Sequence, residues 1–178
     1  MIPSEQLKGM IESPLELAAL TGSRTSLIRC HRLVLQSDCV LAGPIENVLG
    51  KSGGGGLDTS CLAIGLASAA TEYIRQESQF RPDLSAIAER FEVALVTNRD
   101  RMHSLAETGA EPNQTLDLRL ECTKLVLRVT QASLMVAKGI GFVEPHPIQR
   151  WVRQATFFLV WSCPRPVAEG VLADLARL

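Results

Sequence analysis

Thiols and imidazoles are the side chains here most ready to do chemistry. The chain carries five cysteines, Cys30, Cys39, Cys61, Cys122 and Cys163, and three histidines, His31, His103 and His146. No two cysteines make a C-x-x-C, and no histidine stands at ligand spacing from them, so neither a zinc site nor a dithiol motif is written here. The expectation is reduced thiols packed as small hydrophobes. The isolated histidines read as surface or capping residues. There is no G-x-S-x-G, no P-loop and no H-E-x-x-H. The glycine run Gly50–Gly56 (GKSGGGG) lacks the strand-then-helix context of a phosphate loop and reads as a flexible linker. Motifs alone therefore assign no catalytic residue and no metal ligand.

The bulk properties narrow the class further. A chain of 178 residues that is 46% hydrophobic can bury a substantial core. A formal net charge of -1 gives no general field to draw in nucleic acid or an anionic membrane. The longest uninterrupted apolar run, Cys61–Ala70, is short of the roughly 20 residues that cross a bilayer. The N-terminus, MIPSEQLKGMIESP, has no basic region followed by an apolar core, so no signal peptide is expected and the cytoplasm is the expected compartment.

The elements divide at the glycine run. Ahead of it, Met1–Leu20 is ambiguous between helix and extended chain, Thr21-Gly22-Ser23 is a turn, and Thr25–Cys30 and Leu33–Leu35 read as two short strands. Behind it everything reads as helix. The first runs Leu57–Gln79, with Asp58 suiting the helix dipole and a small-residue middle, CLAIGLASAA. Arg81-Pro82 breaks it, and a second helix runs from Asp83 to about Thr108 with the stripe Leu84, Ile87, Phe91, Ala94, Leu95, Met102 and Leu105. Gly109–Gln114 reads as a polar loop. The third helix spans about Thr115–Lys138, and its wide apolar face marks a central position. Gly139 and Gly141 are expected to stop it in the left-handed conformation. Pro147 starts the fourth, with Ile148, Trp151, Val152, Ala155, Phe158 and Leu159 on one stripe. Its apolar end, Phe157–Trp161, is expected to be wrapped on all sides. A fifth covers about Val167–Leu178. The expected fold is thus mainly α: a remnant of β structure and linker over residues 1–50, then an antiparallel four-helix bundle with a short fifth helix over 51–178.

This order of elements resembles the C-terminal part of the acyl-CoA dehydrogenases. The stretch SRTSLIRCHRLVLQSDCVLAG is similar to that family's last barrel strands and the loop leaving them. The stretch KGIGFVEPHPIQRWVRQA follows its glycine-glycine-x-glycine segment and the helix after it without a gap. The resemblance covers roughly Ser23 to Leu178. It implies a flavoprotein fold of helical domain, β-barrel and helical bundle, FAD as cofactor, acyl-CoA as substrate and a homo-oligomer, commonly a tetramer. It also implies that the missing N-terminal domain and most of the barrel come from elsewhere, or from a partner.

Carried over residue by residue, the resemblance gives few functional groups. The family's arginine-x-threonine-phenylalanine-glycine motif at the flavin is Glu77-Ser78-Gln79-Phe80-Arg81 here, and only Phe80 matches. The glutamine before the double glycine is Met135, and the first glycine is Lys138, while Gly139 and Gly141 remain. The tyrosine beside the catalytic base is Trp161. The cofactor positions implied are therefore Phe80, Gly139, Gly141 and Trp161. The base itself, a glutamate that takes the α-proton of the thioester, falls on Ser162 or, in members that carry it on the first bundle helix, on Ser60. A serine hydroxyl is too weak a base for that step. Asp58 and Glu144 are the replacements to consider. Two readings stay open: an acyl-CoA dehydrogenase-type enzyme present as its C-terminal piece, and an inactive helical module for oligomerisation or interaction.

Overall fold

The computed structural model of the protein describes residues 2, 4–40, 43, 57–109 and 111–177. The chain divides into two compact units, Met1–Lys51 and Ser52–Leu178. The linker expected at Gly50–Gly56 lies outside the described residues.

The first unit shows no β-strand among its described residues. It consists of short 3-10 turns at Ser4–Leu7, Thr21–Ser23 and Ser37–Cys39, joined by extended chain. Residues 10–15 run antiparallel to residues 25–29 through Glu12 N–H to Leu27 O, Leu15 N–H to Thr25 O and Arg29 N–H to Met10 O, each 2.9 Å. Only one isolated bridge, Ile11 to Ile28, forms along that pairing. The expected strand at Thr25–Cys30 therefore pairs with the ambiguous N-terminal segment, and Leu33–Leu35 makes no strand. The reason is a missing core. Ile11, Leu27, Ile28 and Val34 are 50%, 46%, 46% and 79% exposed, and two pleated segments without an apolar face to bury do not build a sheet.

The second unit is helical: α1 Leu57–Ser78, α2 Ser85–Thr108, α3 Pro112–Ala137, α4 Ile148–Phe157 and α5 Arg165–Leu175. The most extensive packing joins α1 to α3, and α3 touches each of the other four. In α1, Ser60, Ala63, Ile64, Ala67, Ala70, Thr71 and Ile74 are buried at steps of three and four, and the alanines let α3 come close. Ser133 Oγ donates across that seam to Ala70 O at 3.1 Å. On α3 the facing stripe is Leu118, Cys122, Leu125, Val126, Val129 and Val136, none more than 7% exposed. The described residues thus establish a mainly helical unit arranged around the α1–α3 pair, with α2 against both and α4 and α5 against α3.

Several local expectations shift for identifiable reasons. α3 starts at Pro112, inside the expected loop, because Glu111 and Gln114 make a capping box and Pro112 sits in the first turn. α3 ends at Lys138, whose φ is 56 and ψ -150, and not at a left-handed glycine. α4 stops at Phe157 and finishes in tight turns, with Phe158 N–H to Ala155 O and Leu159 N–H to Thr156 O. Its far end is not wrapped: Val160 is 76% and Trp161 42% exposed. In α2 the stripe is only partly used, with Ile87 42% exposed. Among the cysteines Cys122 is buried and Cys163 packs half-buried against the core, while Cys30 and Cys61 are exposed, so the packed-hydrophobe expectation holds at those two positions and fails at the exposed pair. Finally, a helical stretch with polar interruptions, Pro112–Phe142, is long and apolar enough to cross a membrane by length and composition, which a search for uninterrupted runs overlooks. Half of its most apolar window is buried inside the protein, as befits the central helix.

Candidate functional site

The four implied cofactor positions fall at two ends of the helical unit. Arg81 Nη1 donates to Val136 O at 2.9 Å, which ties the α1–α2 turn to the last turn of α3. Phe80, 83% exposed, Gly139 and Gly141 lie at this end. Trp161 belongs to the other. Arg119, near the start of α3, donates from Nη2 to Trp161 O at 3.3 Å and to Phe158 O at 3.5 Å. Arg119 and Val136 are about 25 Å apart along the helix at ~1.5 Å per residue. Within one chain Phe80, Gly139 and Gly141 therefore do not share a local pocket with Trp161.

At the first end the donors for a pyrophosphate are few. Arg81 is engaged with Val136 O and lies 3.8 Å from the Glu77 carboxylate. Gly141 leaves no opening for a phosphate, because a Cβ there would meet Leu134 Cδ1 at 2.9 Å and Ala137 Cβ at 3.1 Å. Its side is already filled by neighbours, so it is a packing glycine. A Cβ at Gly139 meets nothing. Met135, where the resemblance expects glutamine, is 79% exposed. The residues present do not assemble a phosphate site.

The second end holds both base positions. Ser60 is fully buried and its hydroxyl has no hydrogen-bond partner of ordinary geometry; its polar neighbour is the Cys122 thiol. Burial pushes that thiol up to about 12, against the pull of the nearby Arg119 guanidinium. It is inert as a nucleophile. Ser162 is exposed and sits at φ 47. Asp58 and Glu144, the replacement bases, are both exposed, and Glu144 accepts a 2.7 Å bond from Gln149 Nε2.

Arg119 is the residue that sequence reasoning missed. It is 1% exposed, and its Nε and Nη1 have no partner. Burial lowers its pKa, and the neighbouring Cys163, Cys122 and Asp58 oppose that only in part. Its guanidinium stands 5.5 Å from the Phe158 ring centre, a cation–π contact. A signal existed: Arg119, Thr123, Thr130 and Ser133 recur at helical spacing and form a buried polar row on α3. The hydroxyls in that row bond back to their own helix, Thr123 to Arg119 O, Thr130 to Val126 O and Ser133 to Val129 O, at 2.7–2.8 Å. The arginine has no such local partner and reaches instead for the carbonyls at the end of α4.

Among the described residues no group of three or more His, Cys, Asp or Glu could hold a metal ion. An open groove of about 360 Å³ is lined by Leu57, Asp58, Cys61, Met102, His103 and Glu107, with Ala106. It brings a thiol, an imidazole and two carboxylates to one surface, without a buried member among them.

No family model matches the chain, and no curated protein matches it. Solved structures do. One is a chain from the work on the electron transferring flavoprotein of Acidaminococcus fermentans, towards a mechanism of flavin-based electron bifurcation. It is 16% identical with a TM-score of 0.55, over 67% of this chain and 36% of that one. At that identity the likeness shows the fold: a mainly helical unit of the kind found in a flavoprotein study. The chain spans little more than a third of that neighbour.

Proposed function

We propose that the helical unit is an antiparallel bundle of the acyl-CoA dehydrogenase C-terminal kind, in a cytoplasmic protein that keeps the packing of that family and has lost its chemistry. The observation that carries the loss is the state of the base positions. Ser60 is buried against Cys122 and Ser162 is an exposed turn residue, so neither offers a carboxylate to an α-proton. The family's FAD-dependent oxidation of acyl-CoA is on this reading an inheritance and not an activity of this chain alone. Its role is that of a helical module for self-association, or for joining a partner that supplies the other domains.

The support for association is the apolar surface left open: Phe80, Met135 and Phe142 are 83%, 79% and 71% exposed, and patches of this kind mark interfaces. The test is a desalted sample after incubation with excess FAD, read by absorbance in the flavin bands, then dye reduction with a saturated acyl-CoA, with light scattering alongside. The expected result is no retained flavin, no turnover and a species larger than a monomer. Turnover would overturn the loss of chemistry, and a clean monomer at high concentration would overturn the module.

A further inference from the structure

The connector between α3 and α4 carries a histidine, His146, set between an α4 amide and an α1 ring. His146 is half-buried. Its Nδ1 faces the backbone N–H of Ile148 at 3.5 Å, and its ring meets Tyr73 of α1 edge to face, 5.8 Å between centres and 88° between planes. The backbone N–H of His146 donates to Val143 O at 2.8 Å and fixes the main chain beneath the ring. The Ile148 amide belongs to the first turn of α4, where donors have no partner within the helix. Pro147 just before it has none to give. The imidazole lone pair is thus the acceptor offered to a helix start, and Ile148 itself is fully buried.

From this we propose that His146 is a pH-sensitive clasp on the α3–α4 connector. A neutral ring with Nδ1 unprotonated accepts the Ile148 N–H. A protonated ring carries hydrogen on both nitrogens, so Nδ1–H would face N–H, and a positive charge would sit at the positive end of α4. Turning the ring away would give up its edge-to-face contact with Tyr73. The charged groups on the elements packed there do not cancel the effect by pairing with the ring. Glu77 and Arg81 at the end of α1 lie 3.8 Å from each other, and Glu144 in the connector is bonded to Gln149. Arg150, in the first turn of α4, and Lys138, at the end of α3, add like charge. Acid therefore releases the Ile148 amide and loosens the chain from Gly139 to Pro147, while the α1–α3 seam, held by apolar contact, stays closed.

Amide hydrogen exchange on the whole chain tests this, corrected for the intrinsic pH dependence of exchange, at about pH 7.5 and about pH 5.5. Protection at Ile148 and across the connector should fall about fivefold at the lower pH, the size of a lost helix-start acceptor, with the middle of α3 unchanged. His146→Asn keeps an acceptor that gains no proton there, and its connector should show no such fall. An equal fall in the variant, or none in the wild type, overturns the clasp. The wild type alone gives a second reading by NMR: the Ile148 amide shift should follow the same midpoint as the His146 ring protons, and separate midpoints overturn it as well.

Discussion

Replacing Lys138 by glycine should make the protein more stable. Lys138 closes α3 with φ 56 and ψ -150, a combination in which a Cβ crowds its own backbone and which glycine adopts freely. Holding a non-glycine residue there costs about 1–3 kcal/mol. Two smaller effects oppose the gain. Glycine adds freedom to the unfolded chain worth about 0.4–1 kcal/mol, and removing a cation from a helix C-terminus forfeits about 0.3–1 kcal/mol. Lys138→Ala separates these. It loses the cation, keeps the Cβ and so keeps the strain. The quantity to measure is the difference between the two variants, in which the charge cancels. It should favour glycine by about 0.5–2 kcal/mol, the strain less the chain freedom. Urea unfolding followed by circular dichroism gives the midpoints, and a thermal melt should show the glycine variant higher by about 2–6 °C. If Lys138→Gly is no more stable than Lys138→Ala, the residue is not strained and the account of how α3 ends is wrong.

Two further changes probe the interior. Arg119→Met should leave stability within about 1 kcal/mol of wild type or raise it, because an unpaired buried charge costs several kcal/mol and its two carbonyl bonds are long. Chemical denaturation that shows a loss above about 3 kcal/mol would mean the guanidinium has a partner the structure does not show. Gly170→Ala in α5 places a Cβ 2.7 Å from Leu120 Cδ2 on α3, so it should destabilise by about 1–2 kcal/mol after the helix-propensity gain. In a Leu120→Ala background the same change should stabilise by about 1 kcal/mol, and equal effects in the two backgrounds would refute the close α3–α5 contact.

The helices were legible because periodicity records burial directly. The three- and four-residue steps of α1, α3 and α4 name the buried faces, and Asp58 and Pro147 stand at or beside their helix starts. The ends were less legible. A capping box at Glu111 and Gln114 looks like loop composition until Pro112 is placed in the first turn. A lysine at a positive φ contradicts the local preference that made Gly139 and Gly141 the natural stops. The N-terminal segment misled for another reason: β-rich composition at Thr25–Leu35 reports preference, while a strand needs a sheet. At the candidate site, sequence could say which residue types stand at the implied positions, but not that Phe80 and Trp161 lie at opposite ends of α3. Arg119 was hidden because a lone arginine in a helix reads as solvated face. Only its registry with Thr123, Thr130 and Ser133 puts it inside.

That arginine bears on the proposed loss of chemistry more than the two serines do. A serine where a base is wanted is a single change, and a single substitution could place a carboxylate at position 60. Ser60 and Arg119 are both neighbours of Cys122, however, and two N–H donors of the guanidinium stand unpaired. A carboxylate introduced there would lie within electrostatic reach of that cation in a buried region. The pairing would stabilise its ionised form and draw its pKa down, whereas abstraction of an α-proton needs a base whose pKa lies nearer to neutrality. A carboxylate at position 60 would be held ionised in the core and make a poor catalyst. Recovering the chemistry would require Arg119 to change as well, together with an opening from that buried seam to a substrate. The interior around α3 is therefore occupied at several positions by groups that serve packing and not catalysis, with Arg119 reaching only by long bonds from the start of α3 to the end of α4.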